Sequence, residues 1–133
     1  MNTFGNNFRV SIFGESHGKT MGITLDNVPP GIDIDEDDFL ADIGRRKPGK
    51  KGTTTRKESD QPIFASGLFN GKTTGAPLTI LIENTNTKSS DYQKTKSFHR
   101  PGHADFVANE KFKGFQDYRG GGHFSGRLTV LIV

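Results

Sequence analysis

Apolar and polar residues alternate along FRVSIF at 8–13, with Phe8, Val10 and Ile12 on one face, and again along TMGITLD at 20–26, with Met21, Ile23 and Leu25. A period of two marks a half-buried strand. The GESHGK between them is short, polar and glycine-bearing, so the pair reads as a hairpin with Glu15, Ser16 and His17 at its tip. NVPPG then turns the chain. PIFASGLF (62–69) and PLTILIEN (77–84) repeat the strand pattern across NGKTTGA and predict a second hairpin.

Two stretches switch to helical spacing. DIDEDDFLADIGRR (33–46) crowds acids into its first turn, carries Phe39, Leu40 and Ile43 as an apolar stripe, and closes on Arg45 and Arg46 before Pro48-Gly49. That polarity complements a helix dipole at both ends. RPGHADFVANEKF (100–112) opens on a Pro-Gly break and predicts a short helix, with Phe106, Val107 and Phe112 as core contacts. Residues 85–100 are polar and unpatterned. LTVLIV at 128–133 is ambiguous: β-branched content favours a strand, whereas Ser125 suits a helix cap. With no repeat and no dividing linker, the expectation is one α+β unit over 1–133, built of antiparallel hairpins and short helices.

Composition qualifies this picture. Leu, Ile, Val and Phe make up about a quarter of the 133 residues, enough for a folded chain. Phe supplies 11 of them and Trp none, which predicts a Phe-anchored core. A mean hydropathy of −0.61 and 17 glycines imply many loops over a modest core. No apolar run approaches the ~20 residues of a membrane span, and no signal peptide is evident. The absence of cysteine excludes disulfides and thiolate metal sites, and suits a cytoplasmic protein.

Charge is local. RRKPGKKGTTTRK (45–57) holds seven basic residues and no acid, leaving 11 basic against 15 acidic residues elsewhere. Such a segment is either a solvated basic loop, a nucleic-acid contact or a site for one anionic ligand. Neither an RNP-type aromatic motif nor zinc-finger spacing is present to support nucleic acid. The GKT triplets at 18–20 and 71–73 lack the earlier glycine of a phosphate-binding loop. His99 and His103 have the spacing of a zinc pair, but Pro101-Gly102 interrupts any helix between them, and no metal is expected.

Three constellations remain. His17 on its glycine-flanked turn is either a surface turn residue or a general acid near neutral pH. His103 lies in RPGHAD, which is either a plain helix start with Asp105 charging the first turn, or an anion site flanked by Arg100 and His103. RGGGHFSGR (119–127) has the strongest geometric case. Successive glycines let backbone N–H groups converge on phosphate oxygens, and Arg119 and Arg127 supply positive charge.

FGESHG at 13–18, VPPG at 28–31, RRKPG at 45–49, IENTN at 82–86, DYQKTKSFHRPGHAD at 91–105 and DYRGGGHFSGR at 117–127 follow one another in this order. Taken together they resemble the N-terminal part of chorismate synthase, over essentially the whole chain. The resemblance implies part of that family's β-α-β sandwich, a homotetramer in the family, and the last step of the shikimate pathway. There 5-enolpyruvylshikimate 3-phosphate loses phosphate and a ring proton by 1,4-anti elimination, with reduced FMN required. NADPH enters only where a family member reduces its own flavin. No nucleic acid or membrane is implied.

Carried over by position, His17 would be the acid beside the departing phosphate, and His103 the group that protonates or steadies reduced flavin. Arg45 and Arg46 would face the substrate, Arg46 the flavin as well. His123, Phe124 and Ser125 would lie against FMN, and Arg127 would reach the substrate's anionic groups. Departures exist: many members carry arginine where this chain has His123, and Lys50 or Lys51 stands where relatives have another. Family chains run to several hundred residues, so the sequence reads as a fragment, with little turnover expected on its own. The competing reading is a non-enzymatic anion or nucleic-acid module using 45–57 and 119–127.

Overall fold

A computed structural model of the chain describes residues 2–35, 37–46, 61–84 and 98–124, with only the backbone of Leu40, Arg45, Arg46 and Phe124. In chain order the elements are β1 (Thr3–Phe4), β2 (Arg9–Phe13), β3 (Thr20–Asp26), α1 (Asp37–Arg46), β4 (Pro62–Ser66), β5 (Leu68–Phe69), β6 (Lys72–Thr73), β7 (Leu78–Glu83) and α2 (Asp105–Lys111). A 3-10 turn follows at Gly122–Phe124. Five strands make one sheet in the order β1-β2-β3-β7-β4, and every neighbouring pair is antiparallel. This is the expected α+β arrangement, and both expected hairpin pairings are present.

Register explains the core. Ile12 lies opposite Ile23 and Ile23 opposite Ile80, while Met21 faces Ile82 and Leu25 faces Leu78. The alternating residues of adjacent strands therefore merge into one aliphatic face, where Leu78, Ile80 and Ile82 are at most 2% exposed. Each such side chain contributes about 1.5–3 kcal/mol by leaving water. The expectation of a Phe-anchored core is wrong. The buried cluster is Ile12, Met21, Ile23, Val28, Leu78, Ile80 and Ile82, with Phe64 packed at its margin. Phe4, Phe8, Phe13, Phe69, Phe98, Phe106 and Phe115 are exposed. Closely spaced strands favour β-branched side chains on a covered face, and these rings sit at strand ends, on the opposite face, on α2 or in loops.

The opposite face carries a row of hydroxyls, because Thr3, Ser11, Thr24, Thr79 and Ser66 are successive cross-strand partners. Thr3 donates to Ser11 at 3.3 Å, and the Thr24 and Thr79 hydroxyls are 3.1 Å apart. Beside this row the Phe13 ring lies directly over Gly22, where a Cβ would approach it to 2.2 Å.

The β4–β7 hairpin is more elaborate than its sequence suggests. The register shifts between Phe64 and Ser66, a bulge, and the connection folds into the small β5–β6 ribbon. Thr73 ties that ribbon to the NVPPG turn. Its buried hydroxyl donates to Pro29 O at 2.7 Å and accepts from Ile32 N at 2.9 Å. The first helix also starts later than the acidic run implies, since Asp33 pairs with Lys72 of the ribbon. Asp35 and Asp38 then form a reciprocal cap: Asp37 N donates to Asp35 Oδ1 at 3.1 Å and Asp35 N to Asp38 Oδ2 at 2.9 Å. Ile43 of α1 is buried, and Phe39 meets Phe64 at 5.8 Å between ring centres.

Candidate functional site

The β2–β3 turn holds His17, and it is not a surface turn. His17 is 5% exposed because a distant segment covers it. Ser16 N donates to Gly122 O at 2.9 Å, bringing the glycine loop onto the hairpin tip. At Gly120 a Cβ would stand 2.3 Å from Ser16 Oγ and 2.9 Å from His17 Cδ2, and its φ is +59°. Only glycine meets both demands. From below, Asn84 supports the turn: its Nδ2 donates to Ser16 O at 2.8 Å and to Gly18 O at 3.0 Å.

Two ion pairs brace the glycine loop. Arg100 grips Asp105 with Nε at 2.8 Å and Nη2 at 2.9 Å, its backbone N adds a bond at 2.9 Å, and Nη2 also donates to Gly120 O. This fork closes the Pro101-Gly102 turn against the start of α2. The Arg100 guanidinium bonds hold the Asp105 carboxyl at about 2, against an opposing push from burial. Arg119 grips Asp117 in the same way, at 2.8 and 2.6 Å. Those bonds lower the Asp117 pKa although burial opposes them, and electrostatic interaction with His17 adds a smaller contribution in the same direction. Asp117 in turn raises that of Arg119. The loop's first arginine is therefore compensated by a neighbour two residues back, which reduces the positive charge expected of it.

Helix α2 and the loop line a common hollow, to which the helix contributes the small Ala108. Ala108 is buried, whereas Phe106 and Val107 are 60% and 59% exposed, contrary to the expectation that they contact the core. Phe112 meets the His123 ring edge-on at 5.7 Å, fixing it at the loop's end. Between α2 and the loop lies a cavity of about 20 Å³, room for one water. Gln116 lines it, and its Oε1 is buried without a hydrogen-bond partner among the described residues. A larger, open hollow of about 550 Å³ is bounded by Ser11, Phe13, Gly14, Glu15, Gly18, Thr20 and His123. It borders both the His17 turn and the end of the glycine loop.

The expected site residues thus divide. His17 and His123 belong to segments in direct contact. His103 stands exposed on the turn before α2, with Nδ1 3.2 Å from Pro101 O, and lines neither cavity. Arg45 and Arg46 end α1, as expected, without described side chains, and Phe124 is described by its backbone alone. Ser125 and Arg127, like Lys50, Lys51 and the rest of the basic loop beyond Arg46, lie outside the described residues. Asn84 and Asp117 were not singled out as site residues from sequence, and Arg100, read there as flanking an anion with His103, spends guanidinium bonds on Asp105 and Gly120 O. Asn84 lies within IENTN, and the two pairs follow from charges five and two residues apart.

The order and content of these segments match one family. The chorismate synthase family profile matches residues 8–133. The chorismate synthase of Chitinophaga pinensis is 62% identical over 133 residues, covering 100% of this chain and 40% of that protein. That of Thermococcus gammatolerans is 51% identical over 123 residues, covering 92% and 35%. A crystal structure of chorismate synthase superposes with a TM-score of 0.55 at 26% identity, covering 81% of this chain and 26% of that one. The chain therefore spans 40% or less of the length of these relatives. On matches that run through the His17 turn and the glycine loop alike, the chain belongs to the chorismate synthase family.

Proposed function

We propose that this chain carries part of a chorismate synthase site, acting on 5-enolpyruvylshikimate 3-phosphate to release phosphate and form chorismate. The observation that carries the reading is the seating of Gly120 on Ser16 and His17, which unites the two most chemically suggestive segments. His17, held on a turn fixed from both sides, would hydrogen-bond the departing phosphate and pass it a proton. Shielding beneath the loop strengthens such a charge-assisted bond by excluding water.

Reduced FMN fits the residues present. The 550 Å³ hollow falls in the range of small-molecule sites, and its wall combines hydroxyls, the Phe13 ring and His123. His123 would set a protonatable donor against the flavin, with Phe124 and Ser125 continuing the same edge. Arg45, Arg46 and Arg127 would supply permanent positive charge for the substrate's carboxylates and phosphate. For His103 as a flavin partner, support comes from the family resemblance rather than from its exposed position. When bound, reduced FMN supplies electron density to the substrate ring as phosphate departs.

The test is anaerobic. The chain is titrated with reduced FMN and the shikimate phosphate, binding is read by calorimetry, and released phosphate is measured alongside. Binding of both ligands, weakened about tenfold or more in His17→Ala at unchanged thermal stability, supports the reading. Binding of arbitrary oligonucleotides with steep salt dependence, and none of the shikimate phosphate, would replace it with a nucleic-acid module.

A further inference from the structure

We propose that Asn84 is a positioning residue for His17, acting through the backbone of the turn that carries it. The proposal rests on the reading of His17 as the acid. Asn84 immediately follows β7 and is half-buried beneath the β2–β3 turn. Its Nδ2 donates to the carbonyls of Ser16 and Gly18, the residues on either side of His17, and its backbone N donates to Lys19 O at 2.9 Å. Three consecutive bonds thus run from one residue at the end of a core strand to the segment around one imidazole.

The chemistry of these bonds is selective. Two carbonyl acceptors require a group with two N–H donors, which orients the carboxamide unambiguously; the flipped amide would set oxygen against oxygen. Aspartate offers acceptors only, serine a single donor, and glutamine an arm one methylene too long. Because β7 is anchored by Ile80 and Ile82 at 1% and 0% exposure, Asn84 transmits the rigidity of the core to the turn. Gly120 closes on the opposite side, so His17 lies between a hydrogen-bonded support and a fitted lid. A displacement near 1 Å at a reacting group loses on the order of a hundredfold in rate, which is the scale on which such a support matters.

The experiment uses the chain with labelled histidines and backbone. In the unsubstituted protein both Asn84 carboxamide protons should be protected from exchange; exchange at the rate of an exposed asparagine would overturn the proposal without any variant. In Asn84→Asp and Asn84→Ala, the His17 ring signals should shift or broaden. Backbone order parameters at 15–19 should fall from about 0.85 toward 0.6 or below, while the His99 and His103 rings are unaffected. Unchanged His17 signals and order in Asn84→Asp, with β2, β3 and β7 amides intact, would likewise overturn it. Where turnover is measurable, kcat should fall by about tenfold or more with KM within about threefold. Loss of order at His17 in a chain that neither binds nor turns over the shikimate phosphate would support the positioning role and refute only the functional reading.

Discussion

Gly120→Ala puts the contact between the glycine loop and the His17 turn to a direct energetic test. Two costs separate cleanly at this position. An alanine held at φ +59° pays for left-handed backbone, about 1–2 kcal/mol. Its Cβ would also press on Ser16 Oγ at 2.3 Å, Ser16 Cβ at 2.9 Å and His17 Cδ2 at 2.9 Å. Crowding of that kind costs about 1–3 kcal/mol. The expected total is about 2–5 kcal/mol, read as a lowered urea midpoint at unchanged slope. Gly31→Ala supplies the control, because Gly31 has φ +84° and nothing within 4 Å of its Cβ. It should lose about 1–2 kcal/mol, the backbone component alone. Adding Ser16→Gly to Gly120→Ala removes two of the three close contacts and should restore about 1 kcal/mol or more in a double-mutant cycle. If Gly120→Ala costs no more than Gly31→Ala, the loop does not rest on the hairpin tip and the reasoning fails.

The aliphatic face predicts that Ile80→Ala, at 1% exposure, loses about 2–5 kcal/mol, against less than about 1 kcal/mol for Ile63→Ala at 44%; equal losses in denaturant titrations would contradict the assigned register. Thr73→Val keeps shape but removes the bonds to Pro29 and Ile32, and should destabilise by about 1–3 kcal/mol as measured by thermal melting. Asp105, ordinarily at 3.8 and here about 2, binds its proton less readily when folded; its stabilising contribution is complete above about pH 4 and lost as pH falls through about 2. Urea midpoints between pH 5 and 2 should therefore decline less steeply in Asp105→Asn than in the unsubstituted chain.

The strands and α1 were legible because alternation and end charges are local properties. Phe39 and Ile43, the acids before them and the arginines after them suffice for that helix. Burial was less legible. Alternation groups Val10 with Ile12 but does not say which rings escape the covered face, so Phe8 and Phe13 gave no warning of their exposure. On α2 the buried position is Ala108, while Phe106 and Val107 face outward, a choice that apolar spacing alone does not reveal. His17 was recognised as chemically notable, whereas its burial depends on Gly120 and could not be read from the GESHGK turn alone. Arg119 looked like free positive charge until Asp117, folding back two residues, compensated it. Bonds such as those of Asn84 to Ser16 and Gly18 join residues more than sixty positions apart, beyond the reach of any local pattern.

The five-stranded sheet also has consequences at its margins. On one side β1 offers only two residues; on the other, β4 begins at Pro62, which has no N–H to give, and bulges between Phe64 and Ser66. Short, proline-bearing and bulged edges are poor templates for an incoming strand. Neither described border presents a regular ladder that another backbone could extend. Growth of this sheet from chain to chain through the rims of its described strands is thus discouraged, which guards an Ile- and Val-containing, antiparallel architecture against amyloid-like self-templating while leaving its hydroxyl-bearing face open to association through side chains.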